Sequence, residues 1–250
     1  MPAPDPTTAN KHAFRLVALL VAFTFVGHFN RISISVAGAE KIIPDQLIDK
    51  ESMGWVYFAF LLVYTACMIP GGWAIDRFGG RTALAVMGIC TAALVATTGL
   101  AGMLVPAALL LPALLVIRGL LGLVSVPLHP GCANVIADSI PARMRTTANG
   151  AVTAAALLGI ACTYYGFGWL MDRFGWPLAF VICGAVTAGL ALLWIVDGLL
   201  RRNETSLSPA GAMHAAMFPA IGSSRARRSR MKSARKPSGS SGRWTWRSRR

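Results

Sequence analysis

Two arginines stand inside long apolar runs of this chain, Arg31 in the run 14–36 and Arg118 in the run 107–136. A charged side chain at mid-membrane costs about 2.5–3.5 kcal/mol even on the lenient insertion scale, so such a residue marks a wet pathway or a partner. Arg118 lies 11 residues beyond Ala107. At ~1.5 Å per helical residue that is about half of a ~30 Å hydrocarbon core. Arg31 falls in the outer part of its run, and no Asp or Glu occurs in the first five runs to neutralise either residue. Two unpaired guanidinium groups in one bundle suit a planar carboxylate, which arginine binds through two parallel hydrogen bonds. The alternatives are snorkelling of Arg31 to the headgroups and pairing of Arg118 with backbone carbonyls. Asn30, Asn134 and Tyr64 supply candidate amide and hydroxyl contacts to such a substrate, with Tyr57, Tyr164 and Tyr165 as further hydroxyls of the same chemistry, or else packing and interface residues. Histidine as a residue type titrates near neutral pH, so His28 and His129 are candidates for ion coupling, or else hydrogen-bonded structural residues.

The elements that must position these groups are membrane helices. Hydrophobic residues make up 55% of the chain and charged residues only 14%, against roughly 25% charged in an ordinary soluble domain. Apolar runs near the ~20 residues a spanning helix needs lie at 14–36, 52–75, 82–105, 107–136, 147–171 and 177–196. They lack the alternation of a β-barrel strand, so the fold class predicted is all-α with six transmembrane helices. Basic residues set the orientation. With the N-terminus inside, the inner segments carry Lys11, Arg15, Arg77, Arg81, Arg143, Arg145, Arg201 and Arg202, and the outer loops only Lys41, Lys50 and Arg173. Both termini are therefore expected on the cytoplasmic side.

An internal repeat organises the six helices. Gly72-Trp73-Ala74-Ile75-Asp76-Arg77-Phe78-Gly79 recurs 96 residues later as Gly168-Trp169-Leu170-Met171-Asp172-Arg173-Phe174-Gly175. A displacement by three helices places the copies on opposite membrane faces, the arrangement of two inverted three-helix repeats. The first copy runs on to Gly80-Arg81, so that glycines permit a tight turn, Arg77 and Arg81 hold the loop inside, and Asp76 can pair with a neighbouring base.

The Gly72, Asp76, Arg77, Gly79, Arg81 spacing resembles the signature loop of the major facilitator superfamily. Arg118-Gly119-Leu120-Leu121-Gly122 resembles its second signature, and Asp138 to Arg145 matches the pattern that follows it. Within that superfamily the chain is most similar to the anion:cation symporter family of hexuronate and hexonate carriers. The likeness rests on Phe29 to Ala37, Arg118 to Pro130 and Ala148-Asn149-Gly150, and covers about 14–200. It implies the N-terminal half of a transporter that works by alternating access, with Arg31 and Arg118 on the carboxylate of a small organic anion. It also implies a location in the inner membrane and a need for a second six-helix half or a homodimer. Many members of that family hold an Asp before the first arginine and a Glu seven residues after the second, for proton symport; here those positions are Asn30 and Ser125.

The domain organisation expected is a cytoplasmic segment 1–13, a six-helix bundle 14–200 and a basic tail 201–250. The tail holds 13 of the 24 Lys and Arg against one acid, Glu204, so it carries all but +2 of the formal charge of +14. It reads as disordered, and either as a segment attracted to anionic lipid or as the product of a shifted reading frame on a truncated carrier. A chain of apolar runs with one basic tail is not a nucleic-acid domain. The five cysteines, all in apolar stretches, show no metal or disulfide spacing. Gly79-Gly80-Arg81-Thr82 lacks the Walker lysine. No nucleophile–base set is visible, so no enzyme, cofactor or metal is expected.

Overall fold

The computed structural model describes residues 6–45 and 47–207 of the chain, and side chains between His12 and Leu200. The 201–250 tail expectations thus lie almost wholly outside the described residues. Residues 1–199 make one compact unit.

Among the described residues eight α-helices follow one another: α1 (Pro6–Ala37), α2 (Lys50–Ala66), α3 (Met68–Phe78), α4 (Gly80–Leu104), α5 (Ala107–Ser125), α6 (Leu128–Ser139), α7 (Ala142–Phe174) and α8 (Trp176–Leu207). A π-helical turn, Gly38–Ile42, closes α1, and no strand occurs among the described residues. Five helical stretches among the described residues are individually long and apolar enough to span a bilayer, and α2 with α3 make a sixth if the bent pair is one span. The chain is an all-α, multi-pass membrane protein. α1 begins well before residue 14 and α8 runs past residue 200, so both helices outlast their apolar runs.

Two of the six predicted helices are broken, and prolines explain both breaks. α2 and α3 meet at a 52° bend. Pro70 cannot donate to the carbonyl of Ala66, and its ring presses on it, so α2 stops there. Pro127 and Pro130 act together at the α5–α6 break, where the Val126 N–H reaches only the Leu123 carbonyl, at 3.5 Å.

The repeat is visible in the backbone. Gly79 (φ 84°, ψ 149°) and Gly175 (φ 79°, ψ 153°) occupy the same region, which residues other than glycine scarcely enter. Each donates its N–H to the carbonyl four residues back, Ile75 and Met171, at 2.8 Å, and each accepts the N–H four residues on, Ala83 and Ala179, at 3.1 Å. Two identical helix-to-helix joints 96 residues apart are what a duplicated three-helix unit requires.

α1 packs along α7, α2 along α5, and α4 against α5 and α6. Close approach depends on glycine at two of these seams. A Cβ on Gly122 would strike the Phe60 carbonyl oxygen, and one on Gly159 the Phe25 carbonyl oxygen. The buried apolar residues form two clusters. One gathers Leu16, Leu20, Phe23, Leu84, Ile136 and Trp194; the other gathers Ile34, Phe60, Leu114, Leu121, Phe167 and Phe180. Along α1, α4 and α8 the two are separated by the buried polar residues Thr24, His28, Asn30, Ser33, Thr91 and Thr187. The bundle therefore has a polar waist between two apolar cores.

Gly79→Ala and Gly175→Ala each force a side chain into that glycine-only region, at about 1–3 kcal/mol. Thermal unfolding of the purified variants in detergent is expected to show similar losses at the two sites.

Candidate functional site: a cationic cavity at the waist

α1 and α5 bring the two arginines to one cavity. Arg31 and Arg118 both line a space of about 160 Å³, together with Ser35, Tyr57 and Phe60. Arg118 is 1% exposed, and its Nε, Nη1 and Nη2 have no hydrogen-bond partner. Its guanidinium lies over the Phe180 ring, 5.6 Å from the centroid. Arg31, half-buried, lies 4.9 Å from the Phe60 centroid and 5.2 Å from that of Tyr64. Neither takes part in an ion pair among the described residues. Aromatic faces steady the two cations but leave every N–H of Arg118 unused. The alternative pairing of Arg118 with backbone carbonyls is absent, since none of its nitrogens reaches one.

Most of the other buried hydroxyls of the waist are already satisfied. Thr24, Ser33, Ser125 and Thr187 donate their hydroxyl hydrogens to the carbonyls of Leu20, Phe29, Leu121 and Cys183, at 2.6–2.9 Å, a local bond typical of helical Ser and Thr. Apart from Arg118, only Asn30 Oδ1 and Thr91 Oγ1 are buried side-chain atoms without partners among the described residues. Hydrogen-bonding capacity is thus concentrated on one guanidinium.

The remaining expected site residues divide. Tyr64 stacks parallel to Phe60 with centroids 5.9 Å apart, and it lines a second, smaller cavity of about 30 Å³ with His28, Arg31, Ser125, His129 and Thr187. Such a space holds a water or two. Arg31 lines both cavities. Asn30 directly precedes Arg31, but one residue of helix is about a 100° turn. Its side chain instead faces α8, where Nδ2 donates to Thr187 Oγ1 at 2.8 Å. Asn134 is a correction: 16 residues beyond Arg118, it is ~24 Å further along the helix path. Its Oδ1 accepts the Gly80 N–H at 3.1 Å, which caps the start of α4 rather than lining the arginine cavity. Tyr57 was only a secondary candidate in the sequence, yet it lines the cavity with both arginines. Tyr57, Phe60 and Tyr64 fall at i, i+3 and i+7 of α2, the spacing of a single helix face.

At the signature loop Gly72 is half-buried, while Asp76 and Arg77 are exposed. Arg77 lies over the rings of Trp73 and Phe78 at 5.3 and 5.9 Å. The expected pairing of Asp76 with a base is not among the ion pairs. Asp197, 2% exposed, takes that role: its carboxylate meets Arg15 Nε at 3.1 Å and Arg81 Nη1 at 3.8 Å. Trp194 Nε1–H donates to the Arg81 carbonyl at 3.1 Å, so α1, α4 and α8 are tied together around Asp197. Its place at the last turn of an apolar run gave it no assignable partner from sequence.

Membrane-length helices in a repeated three-helix arrangement, closed around a buried cation, define a polytopic membrane protein with an unpaired charge in its interior. The family model of the Major Facilitator Superfamily matches residues 18–238, and the chain belongs to that superfamily. The match runs beyond residue 200, where the composition turns basic. Among curated relatives, the chain is 30% identical over 180 residues to a probable galactarate/D-glucarate transporter of Bacillus subtilis (strain 168), covering 72% of this chain and 39% of that protein. It is 28% identical over 186 residues to a D-galactonate transporter of Escherichia coli O6:H1, covering 72% and 40%. It is 23% identical over 193 residues to a hexuronate transporter of Escherichia coli (strain K12), covering 77% and 43%. The chain spans about two fifths of the length of these relatives.

An unpaired cation is held in this bundle at a cost in stability, because a buried charge without partners is worse than an apolar side chain of the same volume. Arg118→Met is expected to raise the melting temperature of the anion-free protein, in the direction of the ~1–4 kcal/mol gained when buried ions are replaced by packed apolar residues. Differential scanning fluorimetry in detergent checks this.

Proposed function

We propose that this chain is the substrate-binding half of a secondary transporter for a small organic anion of the sugar-acid class. The observation that carries the reading is the fully buried Arg118, with three partnerless nitrogens, sharing a cavity with Arg31. A carboxylate seated there would accept two parallel hydrogen bonds from one guanidinium and be neutralised by the other. Tyr57 and Ser35 line the same cavity and would meet the hydroxyls of a polyol chain. The relatives named for galactarate, glucarate, galactonate and hexuronate transport support that substrate class. The duplicated three-helix architecture supports alternating access, in which the bundle would rock against a second six-helix body around a site at the waist. The bacterial relatives support an inner-membrane location, and the distribution of Lys and Arg supports both ends of the bundle on the cytoplasmic side.

Purified protein in lipid nanodiscs, titrated calorimetrically with D-glucarate, tests the reading. Saturable binding is expected in the wild type. Loss of a charge-assisted hydrogen bond costs about 1.5–3 kcal/mol, so Arg118→Ala and Arg31→Ala are each expected to weaken binding by about ten-fold or more. Wild-type affinity in Arg118→Ala would remove Arg118 from the site.

A further inference from the structure

The smaller cavity holds a pair of groups that anion binding does not use. His28 of α1 and His129 of α6 meet edge to face, with ring centroids 5.1 Å apart and their Nε2 atoms 3.4 Å apart. His28 is 8% exposed, whereas His129 is exposed.

The partners fix where the hydrogens lie. His28 Nδ1 is 3.0 Å from the Thr24 carbonyl oxygen. A carbonyl only accepts, so Nδ1 carries the hydrogen and the neutral ring has its lone pair at Nε2. The hydrogen between the rings must then belong to His129 Nε2, which donates to His28. That leaves Nδ1 of His129 as the basic atom of the pair, on the exposed ring. A proton arriving there makes His129 an imidazolium without breaking any existing bond. The Nε2–H···Nε2 contact to His28 becomes charge-assisted and strengthens.

The surroundings set what that proton responds to. Among groups lining the cavity, α1 contributes Arg31, α2 contributes Tyr64, and α4, α5 and α8 contribute the neutral Thr91, Ser125 and Thr187. On α6, Cys132 contacts Thr24 Oγ1 through its sulfur at 3.7 Å. No carboxylate lines either cavity. The fixed charge beside the pair is therefore positive, and it belongs to the residue that also lines the anion cavity. An empty Arg31 opposes the proton; an anion on Arg31 and Arg118 offsets that opposition.

We propose that His28 and His129 form a one-proton site whose loading is linked through Arg31 to the anion in the adjacent cavity, so that each favours the other. The linkage rests on the anion reading above, and thermodynamic reciprocity requires that it run both ways. Asn30 and Ser125 cannot titrate, so the histidine pair supplies a proton site that needs no buried carboxylate.

Two measurements on the full chain in nanodiscs test this. The first is calorimetric binding of D-glucarate near neutral pH in two buffers of different ionisation heat, which counts protons taken up per anion. Uptake approaching one proton is expected for the wild type, falling to none in His129→Asn and in His28→Asn while the anion still binds. Wild-type binding without proton uptake, or uptake unchanged in both variants, would overturn the linkage. The second needs no anion: the imidazole ¹⁵N spectrum above about pH 8, where histidine is neutral. His28 is expected as the Nδ1–H tautomer and His129 as Nε2–H; two Nε2–H rings would overturn the pair itself. If glucarate does not bind the wild type, the anion reading and the linkage fall together, and the spectrum alone decides the proton site.

Discussion

The arrangement turns on one interaction that is missing: Arg118 is a cation inside an apolar helix bundle with nothing to bond. Burying an ion without partners costs several kcal/mol even after relaxation, so the surrounding structure must hold it in place. Gly122, one turn further along α5, lets that helix press against the Phe60 backbone of α2. This brings Tyr57 and Phe60 to the same cavity as the guanidinium, while Phe180 of α8 supplies a ring beneath it. Each contact steadies the charge without neutralising it, and a site stabilised this way is complementary to an anion that is not part of the fold.

The same economy runs through the waist. Its hydroxyls are spent on the carbonyls one turn back within their own helices, and Asn30 is spent on Thr187. With the hydroxyls of Thr24, Ser33, Ser125 and Thr187 held in intrahelical bonds, the unbonded donors of the waist are those of Arg118 and the lone Thr91 hydroxyl among the described residues. Around Asp197 the opposite choice is made. There the buried carboxylate is paired with Arg15 and Arg81, so α1, α4 and α8 are fastened at the end that carries the signature loop. A fastened end and an unsatisfied middle suit a bundle that moves as one body around a bound solute.

Much of this was legible in the sequence because the membrane imposes long-range rules on short patterns. The six runs, the 96-residue repeat and the isolation of Arg118 from acids follow from hydropathy and spacing alone. The joints at Gly79 and Gly175 then show the repeat as matching backbone geometry. Less was legible where a side chain's direction decides its role. Asn30 adjoins Arg31 in sequence but turns to α8, and Asn134 shares a predicted helix with Arg118 but lies far along it as a cap for α4. The breaks at Cys67 and Val126–Pro127 were written in Pro70, Pro127 and Pro130, and a reading by hydropathy passes over them. Asp197 was visible as a lone acid, but Arg15 and Arg81 come from runs far apart in the chain, and only packing brings them to it.

The most direct test of the central claim is a structure of the protein in lipid with D-glucarate bound, at a resolution that places the carboxylate. A carboxylate lying between Arg31 and Arg118, within hydrogen-bond distance of the Arg118 nitrogens, is the predicted result. Density for the ligand elsewhere, with the Arg118 guanidinium still unpartnered, would contradict the account.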